Sequence, residues 1–233
     1  MSILLKLFQR RTAKPETPSL SNDLAFSRDE LLAAAGAVLK GGKALSDDCI
    51  AFLDQYRSDA FIDDFLTLSV DETAMLAADL WKLNKDNETS GKRVIRTRRA
   101  TGPDGRPLSL DVAEIVGPDM AFLVDSAINA CQDAKVEVRA VLHPVVTGPH
   151  GRRSTIQIHL PALDDGLRAE LQKQLELTFA DVDVVNADFH AMRSKMEAAS
   201  KALASIEAAG ERSAGDINEA RAFLAWLADE NFT

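Results

Sequence analysis

The chain holds two cysteines, Cys49 and Cys131, among 233 residues, which is too few for a disulfide framework and fits a reducing cytoplasm. Cys131 falls on an apolar helical face and reads as a small buried hydrophobe. Aromatic residues make up 6% of the chain, so few rings are available to stack on bases. Lysine and arginine (27) are outnumbered by aspartate and glutamate (36), the wrong balance for neutralising a phosphate backbone. No apolar run reaches the length of a membrane span. No glycine-rich strand-to-helix fingerprint for a dinucleotide occurs, and no P-loop; Gly102-Pro103-Asp104-Gly105 is a turn. His143, His150, His159 and His190 lack metal-ligand spacing, and no cluster of titratable groups has catalytic spacing. These absences leave no catalytic, cofactor-binding or metal site, and point away from nucleic acid and membrane spans.

What is present is a change of pattern along the chain. Met1 to Lys14 mixes Ile3, Leu4, Leu5, Leu7 and Phe8 with Lys6, Arg10, Arg11 and Lys14, and a Pro/Ser-rich linker follows, so residues 1–22 read as a basic segment and linker. Residues 23–90 read as a helical subdomain. Ser27/Glu30 and Ser69/Glu72 have capping-box spacing, each ahead of an apolar helical stripe. Ile50, Phe52, Leu53 and Tyr56 mark a further helix between them, and Gly41-Gly42 and Phe61–Leu68 read as connections.

Residues 91–187 then read as α+β. The basic stretch Arg93, Arg96, Arg98, Arg99 and the run Leu108–Val116 flank a turn, a hairpin signal. The four arginines read as a solvated or inter-domain face. Gly117-Pro118 breaks the second run, and Met120, Leu123, Val124, Ala127, Ile128 and Cys131 predict a helix from Asp119 to about Ala134. Val136–Val146 and Ser154–Leu160 predict another hairpin, Asp164 opens a helix with Leu167, Leu171, Leu175 and Phe179, and Val182, Val184 and Val185 spell a short last strand. Residues 108–187 are therefore expected to run strand, helix, strand, strand, helix, strand: a ferredoxin-like βαββαβ antiparallel sheet with two helices on one face. Residues 188–233 read as C-terminal helices.

A strand-turn-helix corner aims backbone N–H groups and the positive end of a helix at one spot, which suits a small carboxylate. The candidate effector-binding residues are accordingly Gly117, Asp119, Met120, Asp125 and Asn129. Asp119 also reads as the N-cap of its helix, a role worth about 1 kcal/mol. Asp125 and Asn129 lie one helical turn apart, on a side facing a ligand, a partner domain or solvent. His143, before Pro144, reads as a strand-end residue bonded to backbone.

Glu114-Ile-Val-Gly-Pro-Asp-Met-Ala-Phe-Leu-Val-Asp-Ser126 resembles the N-terminal region of the large bacterial NAD-specific glutamate dehydrogenases, as do Leu142-His-Pro-Val145 and Phe223-Leu-Ala-Trp-Leu-Ala-Asp-Glu-Asn-Phe-Thr233. A weaker match is Val70-Asp-Glu to Leu80-Trp-Lys82, and the matches fall in order over residues 69–233. Gly117-Pro118 and Ala121 depart from the family's usual turn, which bears on side-chain ligand contacts there. The resemblance implies an ACT-type regulatory module of an enzyme that converts L-glutamate and NAD to 2-oxoglutarate and ammonium. NAD and turnover would belong to a catalytic domain further along the parent chain, and this sequence would be a truncated, non-catalytic segment. The implied partners are that downstream domain, like subunits in a homo-oligomer, and an amino-acid effector. A stand-alone ACT-like binding or interaction module is the alternative, and an independent enzyme the third reading.

Overall fold

The structure, a computed structural model, describes residues 26–40, 45–59, 68–148, 150–209 and 214–228. The connections expected at Gly41-Gly42 and over residues 61–67, the basic N-terminal segment and the last five residues lie outside them.

Among the described residues three helices come first: α1 (Arg28–Lys40), α2 (Asp47–Asp59) and α3 (Val70–Asp86). Both capping boxes are present. Glu72 N–H donates to Ser69 Oγ at 3.3 Å while Ser69 N–H donates to Glu72 Oε2 at 2.8 Å, and Ser27 and Glu30 repeat the exchange at 3.2 and 2.7 Å. Two long strands follow, β1 (Val94–Thr101) and β2 (Pro107–Pro118), joined by a turn in which Gly105 takes φ +76°, a conformation that suits glycine. Then come α4 (Leu123–Asp133), the short strands β3 (Ala140–Leu142) and β4 (Val145–Gly148), β5 (Gly151–Pro161), and two further helices, α5 (Asp165–Ala209) and α6 (Ala214–Ala228).

The sheet is antiparallel with order β1-β2-β5-β3, and β4 pairs with β5 further along the same edge. Pro144 separates β3 from β4; its carbonyl accepts from Thr155 N–H at 3.0 Å, which keeps the interrupted edge attached. This is the ferredoxin-like α+β class expected from the sequence, with one strand exchanged. Val182, Val184 and Val185 form no strand: α5 runs through them. Leu171, Leu175, Phe179 and Val182 keep helical spacing and are buried, while Val184 and Val185 are exposed, so the period outweighs the β-propensity of valine. The outer place beside β2 is taken by β1, so the chain order is ββαββα.

Register fixes which side chains share a face. Ile115 pairs with Ile156 and Ala113 with Ile158, and these residues pack under α4 and α5 against Leu123, Ala127, Leu171, Leu175 and Phe179. The alternate residues, Val112, Glu114 and Val116 on β2 and Thr155, Gln157 and His159 on β5, face the other way. That face is covered too. Val116, Leu142 and Val146 join a core with Leu31, Phe52, Tyr56 and Trp81 from the first three helices, and Val112 and Leu110 pack with Leu76. Every residue from Leu110 to Gly117 and from Arg153 to Leu160 is consequently buried.

Both sheet edges carry a glutamine. On β1, Thr97 N–H donates to Gln172 Oε1 at 2.7 Å and Gln172 Nε2 donates to the Ile95 carbonyl at 3.0 Å; on β4, Val145 N–H donates to Gln55 Oε1 at 2.9 Å. These side chains occupy backbone groups through which a further strand would add.

Candidate functional site

The corner at Gly117–Met120 is built differently from its sequence reading. Gly117-Pro118 does not break β2, which continues to Pro118 and pairs it with Arg153. The β1 ladder has already ended at Val94–Val116, so a residue without an N–H fits there. The helix begins at Leu123 rather than Asp119, and its N-cap is Phe122 in the left-handed region at φ 68°, without a side-chain cap. Asp119 therefore does not cap the helix. Its N–H donates to the Arg152 carbonyl and its carboxylate pairs with Arg152 Nη2, both at 3.1 Å, so it fastens the corner to β5. Gly117 is buried against the start of β1; a Cβ there would come within 3.1 Å of Arg93 Cα.

Beside this corner lies an open cleft of about 680 Å³, lined by Gly91, Lys92, Arg93, Pro118, Met120, Asp183, Asn186 and Ala187. Of the five candidate residues Met120 lines it directly, and Gly117 and Asp119 flank Pro118. Asp125 and Asn129 are on the exposed side of α4 and are not among its lining residues.

The cleft's central group is the Arg93 guanidinium. Its side chain is 5% exposed, and it stacks 4.9 Å from the centre of the Phe179 ring. Nη2 donates to Asp183 Oδ1 at 2.7 Å and approaches Met120 Sδ at 3.3 Å, while Nε and Nη1 are buried without a hydrogen-bond partner. Asp183 is 51% exposed. Asn186 Nδ2 donates to the Ala121 carbonyl at 3.1 Å and ties α5 to the turn before α4. The sequence reads Arg93 as one of a row of arginines on a face, and the expected last strand hides Asp183 and Asn186. Carrying the stripe Phe179, Val182 onward at helical spacing to Asp183 and Asn186 would have placed both on the face of α5 that meets the sheet.

A second polar cluster lies between the sheet and α2 and α3. Glu114, fully buried, accepts from Arg96 Nε at 2.7 Å, Arg98 Nε at 3.0 Å, Arg98 Nη2 at 3.1 Å and Gln157 Nε2 at 3.0 Å. Arg98 Nη2 also donates to Asp79 Oδ2 at 2.7 Å. Gln157 Oε1 accepts from Tyr56 Oη at 2.6 Å and lies 3.1 Å from His159 Nε2, and Gln157 Nε2 reaches the Leu76 carbonyl at 3.2 Å. Two guanidiniums thus meet two carboxylates, and no buried side-chain atom of these residues lacks a partner. Burial pushes the His159 imidazole down to about 4, so it is neutral near pH 7, and raises the Tyr56 phenol above its usual range. Burial also raises the Asp79 carboxyl, against the opposing pull of Arg98. Arg98 loses ground to burial but is raised on balance by its bonds to Glu114 and the charge of Asp79. Arg96 and Arg98 of the basic strand therefore pair with carboxylates in the layer between the sheet and the helices.

A third cluster closes the other end of β1. Buried Asp111 accepts from Arg99 Nε at 2.6 Å, Leu163 N–H at 2.9 Å and Arg168 Nε at 3.2 Å. Among the histidines, His143 Nε2 meets Ser154 Oγ at 2.7 Å. Among the described residues no group of three or more His, Cys, Asp or Glu is placed to hold a metal, and no helix is long and apolar enough to cross a membrane. Cys131 is buried in the core under α4, with its thiol pushed up to about 12 by burial.

A family model for the glutamate dehydrogenase ACT1 domain matches residues 52–178, from α2 through the whole sheet and α4 into α5. No curated protein matches the chain. The match covers more than half of the sequence and contains the Arg93–Met120 side of the cleft, the sheet and the buried polar cluster. The chain belongs to the glutamate dehydrogenase ACT1 domain family.

Proposed function

We propose that this chain is the non-catalytic regulatory and assembly segment of an NAD-dependent glutamate dehydrogenase. In the parent enzyme L-glutamate and NAD would give 2-oxoglutarate and ammonium in a catalytic domain carried elsewhere on the polypeptide, in the cytoplasm and within a homo-oligomer. NAD belongs to that domain, and this segment supplies control. The effector is an amino acid held near Gly117–Met120. The observation that carries the reading is the family match over residues 52–178, which includes the strand-turn-helix corner and the Arg93–Met120 side of the cleft beside it. The cleft's mixture of one buried cation, one half-exposed carboxylate and an apolar floor suits a small zwitterion better than an extended polymer.

Calorimetric titration of the chain with the twenty L-amino acids tests the control role. Heat with at least one of them is the expected result; silence from all twenty removes the effector and leaves assembly. The reading frame beyond Thr233 tests the parentage. A frame running into a glycine-rich dinucleotide motif is expected, and a stop codon there would favour a stand-alone module. Incubated with L-glutamate and NAD, the chain alone should form no NADH.

A further inference from the structure

Arg93 is the most incompletely satisfied charged group among the described residues. A guanidinium has five N–H donors in a planar fork, and a carboxylate grips that fork best through two parallel bonds. Asp183 takes only one donor, from Nη2, while Nε and Nη1 are buried with no partner. Leaving such donors unmade costs stability, and a ligand that supplied acceptors would recover it. The cation lies against the Phe179 ring at one side of a cleft large enough for a small molecule, and the acid facing it is half in solvent and free to turn.

We infer that the cleft takes an α-amino acid between Arg93 and Asp183, with the ligand carboxylate on the guanidinium and its ammonium on the Asp183 carboxylate. This rests on the regulatory reading above and names the two side chains that would carry it. The ligand carboxylate makes two bonds to Arg93 where Asp183 makes one, and Asp183 recovers a cation in exchange. Pro118, Met120 and Ala187 supply apolar walls for the ligand's carbon chain.

The position of Asp183 gives binding a mechanical consequence. Val182 is the last buried residue of α5; among the described residues, none after it on that helix is buried. The helix then continues to Ala209 and packs along α6. The Arg93–Asp183 pair and the Asn186–Ala121 bond are fastenings where α5 leaves the sheet. An inserted ligand parts the 2.7 Å pair, so it loosens the projecting α5–α6 hairpin from the sheet.

The test is calorimetry of the whole chain with the twenty L-amino acids and with glutarate, a dicarboxylate without an ammonium group, combined with hydrogen exchange. Arg93→Met should abolish the amino-acid heat, and Arg93→Lys, which keeps charge but not the fork, should weaken binding at least tenfold. Asp183→Asn should weaken the amino acid by up to about fivefold, the scale of one partly exposed charge pair, and should not weaken glutarate. Saturating ligand should speed amide exchange in residues 187–200 and slow it in residues 117–121. Heat that survives intact in Arg93→Met places the effector elsewhere and overturns this inference while the regulatory reading stands. Silence of the unaltered chain toward all twenty amino acids overturns both. Unchanged exchange in α5 on saturation overturns the unfastening.

Discussion

Two arginine clusters lie on either side of the start of β1 and differ in completeness. Arg96 and Arg98 share Glu114 with Gln157 and stand between sheet and helices with every buried donor used. Arg93, just before the strand, is more deeply buried than Arg96, yet keeps two donors unused beside an open cleft. Hydrogen-bond completeness separates a joint from a site. A closed network fixes two layers in one arrangement, and an open one retains bonding capacity for something that arrives later.

The comparison can be broken most forcefully at Glu114. Glu114→Ala strips the carboxylate from two guanidiniums held in a low-dielectric layer, and should cost about 3–5 kcal/mol in urea unfolding. A loss under about 1 kcal/mol, the scale of an exposed pair, would mean the layer is not a joint.

The same layer should give stability a pH dependence through His159. Its folded-state pKa of about 4 lies below the ordinary 6.5, so the unfolded chain takes up the proton first as pH falls. The contribution of the neutral imidazole is complete above about pH 6.5 and is lost toward pH 4, on the order of 3 kcal/mol in total. Asp79, whose carboxyl is raised, acts with the opposite sign, favouring the folded state as it takes up its proton. His159→Gln isolates the histidine term: the variant should lack the slope between pH 6.5 and 4, and an identical slope in both proteins would assign it to other groups.

A smaller effect sharpens the account of the edges. Gln172→Ala removes two hydrogen bonds from the outer side of β1 and should cost about 1–2 kcal/mol. It also bares the Ile95 carbonyl and Thr97 N–H, so sedimentation should show more concentration-dependent association than in the unaltered chain. Unchanged association would mean that Gln172 does not guard this edge.

Much of the fold was legible because it rests on local chemistry. Ser27/Glu30 and Ser69/Glu72 announce their helices by reciprocal caps, and Ile156, Ile158 and Leu160 announce a strand by alternation. The errors come from tertiary context. Val182–Val185 looks like a strand because valine favours one, yet the sheet position it would fill is taken by β1. Asp119 looks like a cap because it precedes an apolar stripe, but pairing with β5 carries the strand up to Pro118 and delays the helix by a turn. Glu114, Gln157 and His159 alternate as solvent-facing residues should, and only the docking of α2 and α3 shows that they are buried. The cleft was half legible: the corner itself points to Met120, whereas Arg93 and Asp183 are 90 residues apart and no local pattern joins them.

The most direct test of the contrast between joint and site is the unfolding free energy of Arg93→Met set beside that of Glu114→Ala. A guanidinium kept for a ligand contributes little to the unliganded fold, and Asp183, half in solvent, tolerates losing it. Arg93→Met should lose no more than about 1 kcal/mol, the scale of one exposed pair. A loss as large as that of Glu114→Ala would make Arg93 one more structural fastening and contradict its assignment to a site.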